Sequence, residues 1–181
     1  LRGMWDDILP LGVMNVITLL LQVTVVLGPP AMAALHAMSY RAATGYAIKT
    51  EQYFGALREY FVRAWIFGAP GIIVNVLIVY NFLFYNSMQA DWAVWVQGAW
   101  LAGLLFWNAI QFYMFPFLLA QTDKRWRVAL RNSALVAGAN PLYTFVLLAT
   151  GALLTGLSFF LLPVFMFFGL ALWTMLANTA V

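Results

Sequence analysis

The sequence predicts an all-α, polytopic integral membrane helical bundle, and three observations lead there. Charge is scarce: of 181 residues, nine are Lys or Arg and six are Asp or Glu, while 65% are hydrophobic. The charge is also unevenly placed, because 92–122 and 132–181 contain none. A water-soluble domain carries roughly a quarter charged residues, so the solvent these surfaces match is hydrocarbon. Finally, apolar runs near the ~20 residues that cross a bilayer core recur along the chain. Five or six transmembrane helices and two cytoplasmic amphipathic helices account for 1–181 as a single transmembrane domain.

The first span is expected at 8–27 and stops at Gly28-Pro29-Pro30. Proline is tolerated in the first helical turn, so the pair also opens a second helix over 30–46. That helix is rich in alanine, and Arg41 near its end is placed to snorkel to an interface. It reads as a short full span, with a re-entrant course as the alternative. At 50–63 Tyr53, Phe54, Leu57, Tyr60 and Phe61 recur at helical spacing against Glu51, Arg58 and Glu59, the pattern of an amphipathic surface helix. Spans follow at 64–85 and 92–120, joined by the polar turn 86–91, with Pro116 expected to kink the second. A second amphipathic helix is read at 123–135, with Lys124, Arg127 and Arg131 opposite Trp126, Leu130 and Ala134. Asn140-Pro141 opens a span at 141–157, and a turn near Gly156 to Ser158, or just before Pro163, leads into the last, 161–180. Seven tryptophans, Trp5, Trp65, Trp92, Trp95, Trp100, Trp126 and Trp173, fall near predicted span ends, where an indole has one apolar and one wet side.

Eight of the nine basic residues lie in two segments: Arg41, Lys49, Arg58 and Arg63, then Lys124, Arg125, Arg127 and Arg131. The positive-inside rule places both in the cytoplasm and the turn 86–91 outside. The two segments also share a pattern. Ala56-Leu57-Arg58 precedes Gly68-Ala69-Pro70, and Ala129-Leu130-Arg131 precedes Gly138-Ala139-Asn140-Pro141, as in a duplicated surface-helix-then-span unit.

Little here points to catalysis. Cysteine is absent and histidine occurs once, and no carboxylate falls inside a predicted span, so neither a nucleophile–base pair nor a metal site is expected. His36 among small alanines carries two readings: an axial ligand to a chlorophyll-type pigment or haem, or an imidazole bonded to a neighbouring carbonyl. Asn15, Asn75, Asn108 and Gln111 are amides within predicted spans. They read as interhelical bonds before they read as a pathway for a small neutral solute. Gly98 with Ala102, and Ala152 with Gly156, place small residues four apart on single helix faces, a packing surface whose partner is left open. Arg58, Arg63, Lys124, Arg127 and Arg131 form the basic surface where a partner would dock.

The stretch Val23-Thr24-Val25-Val26-Leu27-Gly28-Pro29-Pro30-Ala31-Met32-Ala33-Ala34-Leu35, preceded by Asn15, resembles the YesL family of bacterial membrane proteins (domain of unknown function 624). Phe54 to Arg63 and Phe115-Pro116-Phe117-Leu118-Leu119-Ala120 are similar to further segments of that family. The chain departs from the pattern at Pro30, at the spacing from Thr24 to the glycine, and at His36, where an aromatic residue is usual. The family has no established activity and often accompanies sugar-importing ABC transporters, so the resemblance implies an accessory role beside one.

The expected function is therefore a non-catalytic accessory or scaffold subunit of a larger complex in the bacterial inner membrane. Its expected partners are membrane lipids, some of them structural, and other membrane protein subunits; no nucleic acid and no cofactor is expected. The alternatives are a pigment- or haem-binding subunit of a photosynthetic or electron-transfer complex, and a facilitator for a small neutral solute.

Overall fold

The computed structural model describes residues 5–88, 90–161, 163 and 165–181. All regular structure among them is helical: α1 (Trp5–Gln22), α2 (Gly28–Ala43), α3 (Thr50–Asn86), α4 (Ala93–Ala120), α5 (Trp126–Ala139), α6 (Pro141–Phe160), a single π-helical turn (Phe165–Gly169) and α7 (Leu170–Thr179). Leu162 and Val164, at the start of the expected last span, lie outside the described residues, as does the Trp5 side chain.

α2 is the axis of the bundle, packed against α1, α3, α4 and α7. Its composition explains this position. Ala31, Ala33, Ala34 and Leu35 are fully enclosed, and small side chains let neighbouring backbones come close on every side. The start of α2 is itself closely packed: a Cβ on Gly68 of α3 would stand 3.0 Å from Cβ of Pro29, so glycine lets the two helices cross here without displacing the proline.

α3 corrects one expectation. A surface helix at 50–63 and a separate span at 64–85 are in fact one continuous helix of 37 residues. At 1.5 Å per residue it is about 55 Å long, well beyond a ~30 Å hydrocarbon core. Its charged residues lie in the first half, and Ile72, Ile73, Val76, Leu77, Val79 and Tyr80 point outward from the second. No stop signal separates the halves, because 61–67 holds neither glycine nor proline, and Pro70 is absorbed inside the helix.

The second copy of the pattern behaves differently. α5 and α6 meet at a 102° bend. Asn140 leaves the helical region at φ −129°, ψ 62°, and Pro141 begins α6. A residue before proline is pushed out of the α conformation; Asn140 yields, whereas Ala69 before Pro70 does not. The second amphipathic helix thus exists, displaced from 123–135 to Trp126–Ala139. α6 runs through Gly156 to Ser158 unbroken to Phe160, so the break falls just before Pro163.

α3 and α4 form a long antiparallel hairpin. The side-chain pairs Asn86–Gln97, Asn75–Asn108 and Glu59–Lys124 succeed one another down it. Between the first two pairs both arms advance by the same number of residues, so the helical register is regular there, and Lys124 meets Glu59 beyond the end of α4.

The count of spans also changes. Among the described residues two helices, α3 and α4, are long and apolar enough to cross a membrane, or three if the bent α5–α6 pair is one span. Five or six do not follow from length and composition. α1 ends at Gln22 because Val23 to Val26 form turns with Val25 at φ 56°. α2 has 16 residues, and the last segment is divided into the π-turn and a 10-residue helix.

Asn15 accounts for that last division. A π-turn displaces the backbone ladder and leaves groups without their usual partners. The fully buried Asn15 side chain donates to the Met166 carbonyl at 2.7 Å and accepts from the Ala171 N–H at 2.7 Å. One amide thereby closes both ends of the irregular turn onto α1.

Candidate functional site

Asn15, Asn75 and Asn108 are spent on helix contacts, whereas Gln111 Nε2 is enclosed with no hydrogen-bond partner among the described residues. Asn108 donates to Asn75 Oδ1 at 3.0 Å and to its own Leu104 carbonyl at 2.8 Å, while Asn75 donates to the Gly71 carbonyl at 3.0 Å. Gln111 comes to the same place: a Cβ on Gly71 would lie 2.6 Å from its Oε1. The three amides expected either to tie helices or to line a path thus converge on one α3–α4 contact. Asn15 stands apart, on the π-turn.

His36 is buried in α2, its ring stacked on Phe115 with centroids 5.5 Å apart. Its carbonyl accepts from Asn178 at 2.9 Å, and one turn further on Ser39 shares a 2.6 Å hydrogen bond with Thr174. These bonds fasten α7 to α2. The His36 Nδ1 atom is enclosed and meets no hydrogen-bond partner among the described residues. A macrocycle reaches that atom only if the surrounding side chains move aside.

Of the five basic residues proposed as a docking surface, Arg58, Arg63, Arg127 and Arg131 are exposed. Lys124 is not free in the same way. Its ammonium bonds Glu59 Oε1 at 2.7 Å and the Tyr60 hydroxyl at 2.5 Å, and lies 4.8 Å from the Tyr60 ring centroid. Burial alone would lower its pKa, but the bonds to Glu59 and Tyr60 outweigh that and raise it above the usual 10.5. The ammonium is therefore charged throughout the neutral range, and its contribution fades only as the pH rises through the elevated value. Its backbone sits at φ 47°, a region that costs a non-glycine residue free energy. The contact with α3 holds it there, and so brings the two basic segments to one end of the bundle.

Between these elements opens a cleft of about 500 Å³. The C-terminal turn of α2 supplies Ala37, Tyr40 and Arg41; the first turns of α3 supply Gln52, Glu59 and Tyr60; and the α4–α5 connection supplies Lys124. Arg41 makes one long bond, 3.5 Å from a terminal nitrogen to the Ala47 carbonyl, and its guanidinium carbon lies 5.8 Å from the Tyr46 ring centroid. Its Nε is enclosed with no acceptor among the described residues.

No protein-family model, curated protein or solved structure matches the chain. The site therefore rests on its own geometry. Sequence reasoning placed Arg41 at an interface and Glu59 on a helix face, and it missed that the two meet Lys124 around one cleft. The signal that was present is charge itself, since few ionisable groups in so apolar a chain leave few ways to group them. What concealed the grouping is the distance in sequence between residues 41, 59 and 124.

Proposed function

We propose that this chain is a non-catalytic accessory or scaffold subunit of a larger assembly in the bacterial inner membrane. The observation that carries the reading is that its small-residue helix faces look outward. A Cβ added at Gly98 or Gly156 would meet nothing within 4 Å among the described residues, and Ala102 and Ala152 beside them are exposed. Within hydrocarbon such faces gain most from another helix, because backbones approach closely there and van der Waals contact replaces the missing hydrophobic drive. The occupant is accordingly a transmembrane helix of a partner subunit. The resemblance to the YesL family makes an ABC-type sugar importer the partner of choice.

In this reading α1, α2, α3, α4, α6 and the final segment all cross the bilayer. The short ones do so within a protein environment, and both termini and both basic segments face the cytoplasm. The amides favour this role over that of a solute facilitator, since Asn75 and Asn108 bond one another rather than an open path. The burial of His36 within α2, its ring stacked on Phe115, favours it over a pigment- or haem-binding subunit.

Gentle solubilisation and size-exclusion chromatography test the reading. The chain is expected to co-migrate with other membrane subunits, and Gly98→Leu and Gly156→Leu are expected to release them without lowering the chain's own melting temperature. Recovery of a lone 20.3 kDa chain, or release caused equally by substitutions elsewhere, contradicts it.

A further inference from the structure

We propose that the cleft between α2, α3 and the α4–α5 connection binds a phosphate oxyanion, presented by an anionic phospholipid headgroup or by free phosphate. Two cations face the cleft, Arg41 and Lys124, and one carboxylate, Glu59. Glu59 is committed to Lys124 at 2.7 Å, which leaves the charge on Arg41 without a carboxylate partner among the described residues. Arginine cannot shed its proton, and its planar fork matches the spacing of phosphate oxygens. The terminal nitrogens of Arg41 make one long bond, 3.5 Å to the Ala47 carbonyl, among the described residues; an oxyanion in the cleft supplies the stronger acceptor they lack.

Two further features suit an anion. The carbonyls at the end of α2 would repel one, but the Thr44 hydroxyl lies 2.8 Å from the Tyr40 carbonyl and 3.1 Å from that of Arg41 and covers them. The volume of about 500 Å³ exceeds what a bare phosphate fills and lies within the range of small-molecule sites. Ala37 and Leu119 line its apolar wall, so the pocket accepts a phosphate joined to a glycerol or other short apolar group.

The test uses the full chain in nanodiscs. In one arm the discs contain phosphatidylglycerol in a phosphatidylcholine background, and lipid retained after detergent exchange is read by native mass spectrometry. In the other the discs are phosphatidylcholine only, and binding of radiolabelled inorganic phosphate is measured by equilibrium dialysis. Retention of phosphatidylglycerol alone assigns the site to a headgroup, and binding of phosphate assigns it to a free anion. In either case Arg41→Gln is expected to reduce binding at least ~10-fold, as loss of a bidentate charged pair implies. Arg41→Lys should weaken it less, and Arg131→Gln, on the exposed face of α5, should leave it unchanged. Should Arg41→Gln fail to fold by its melting curve, Arg41→Lys decides, by weakening binding at an unaltered melting temperature. The proposal is overturned if neither probe binds above the phosphatidylcholine background, if the Arg41 variants bind like the wild type, or if Arg131→Gln has the same effect as Arg41→Gln.

Discussion

Replacing Asn15 with leucine is expected to lower the stability of the bundle by about 2–4 kcal/mol, because it strands the buried Ala171 N–H and the partly buried Met166 carbonyl at once. The amide is fully buried and holds the Met166 carbonyl and the Ala171 N–H, each at 2.7 Å. The Ala171 N–H is buried, and the π-turn displaces the ladder that would otherwise pair these groups. For a chain of this size the loss corresponds to a fall in melting temperature of about 5–10 °C in detergent. An unchanged melting temperature for Asn15→Leu would mean that the final segment is not held to α1 in this way.

The second large effect is expected at Tyr53. Its side chain is fully enclosed where α1, α2 and α3 meet, and its hydroxyl lies 2.8 Å from Thr18 Oγ1 and 3.5 Å from the Ala31 carbonyl. Thr18 also donates to the Met14 carbonyl at 2.8 Å, so the Tyr53–Thr18 contact joins α3 to the backbone of α1. Tyr53→Ala leaves a ring-sized cavity at the junction and is expected to cost about 3–5 kcal/mol. Tyr53→Phe removes only the hydroxyl and is expected to cost about 1 kcal/mol. Thermal or denaturant unfolding of the two variants measures the difference. Equal losses would show that the hydroxyl rather than the ring holds the junction, and no loss in either would remove Tyr53 from the core.

Much of this architecture was legible in the residues, for identifiable reasons. The span expected at 92–120 is found at Ala93–Ala120, because a long charge-free run bounded by Asp91 and Asp123 admits few other readings. Pro141 marks the start of α6 because a proline in the first turn costs no hydrogen bond. The union of 50–63 with 64–85 was not legible. Amphipathic and uniformly apolar segments share the same helical period, and only a breaker would have told a join from a gap. Residues 23–27 read as span because they are apolar. Their β-branched side chains have poor helix propensity, and the chain turns there, with the Thr24 hydroxyl bonded to the Leu21 carbonyl at 2.7 Å. The alanines of α2 announced close packing; that α2 would lie at the centre depended on how four other helices assemble.

The site was legible in parts. Asn75 and Asn108 were identified singly as interhelical amides, and their pairing required the α3–α4 register. Lys124 was grouped with exposed arginines because all are basic, yet it alone reaches Glu59 and Tyr60. Arg41 shared its helix with His36, the more conspicuous residue, although the cleft opens at Arg41.

The central claim is that α3 runs unbroken from a watery, charged first half into hydrocarbon. Because the native chain has no cysteine, single cysteines placed at Phe54, Arg58, Val62, Ile72, Val76 and Val79 report their surroundings one at a time. All six positions are exposed on the bundle, so protein burial does not confuse the reading. In liposomes carrying added pores that admit a bilayer-impermeant maleimide to both faces, the sites at 54, 58 and 62 are predicted to react rapidly and those at 72, 76 and 79 to resist until detergent is added. Rapid labelling at all six positions would contradict the account, because the apolar half of α3 would then face water.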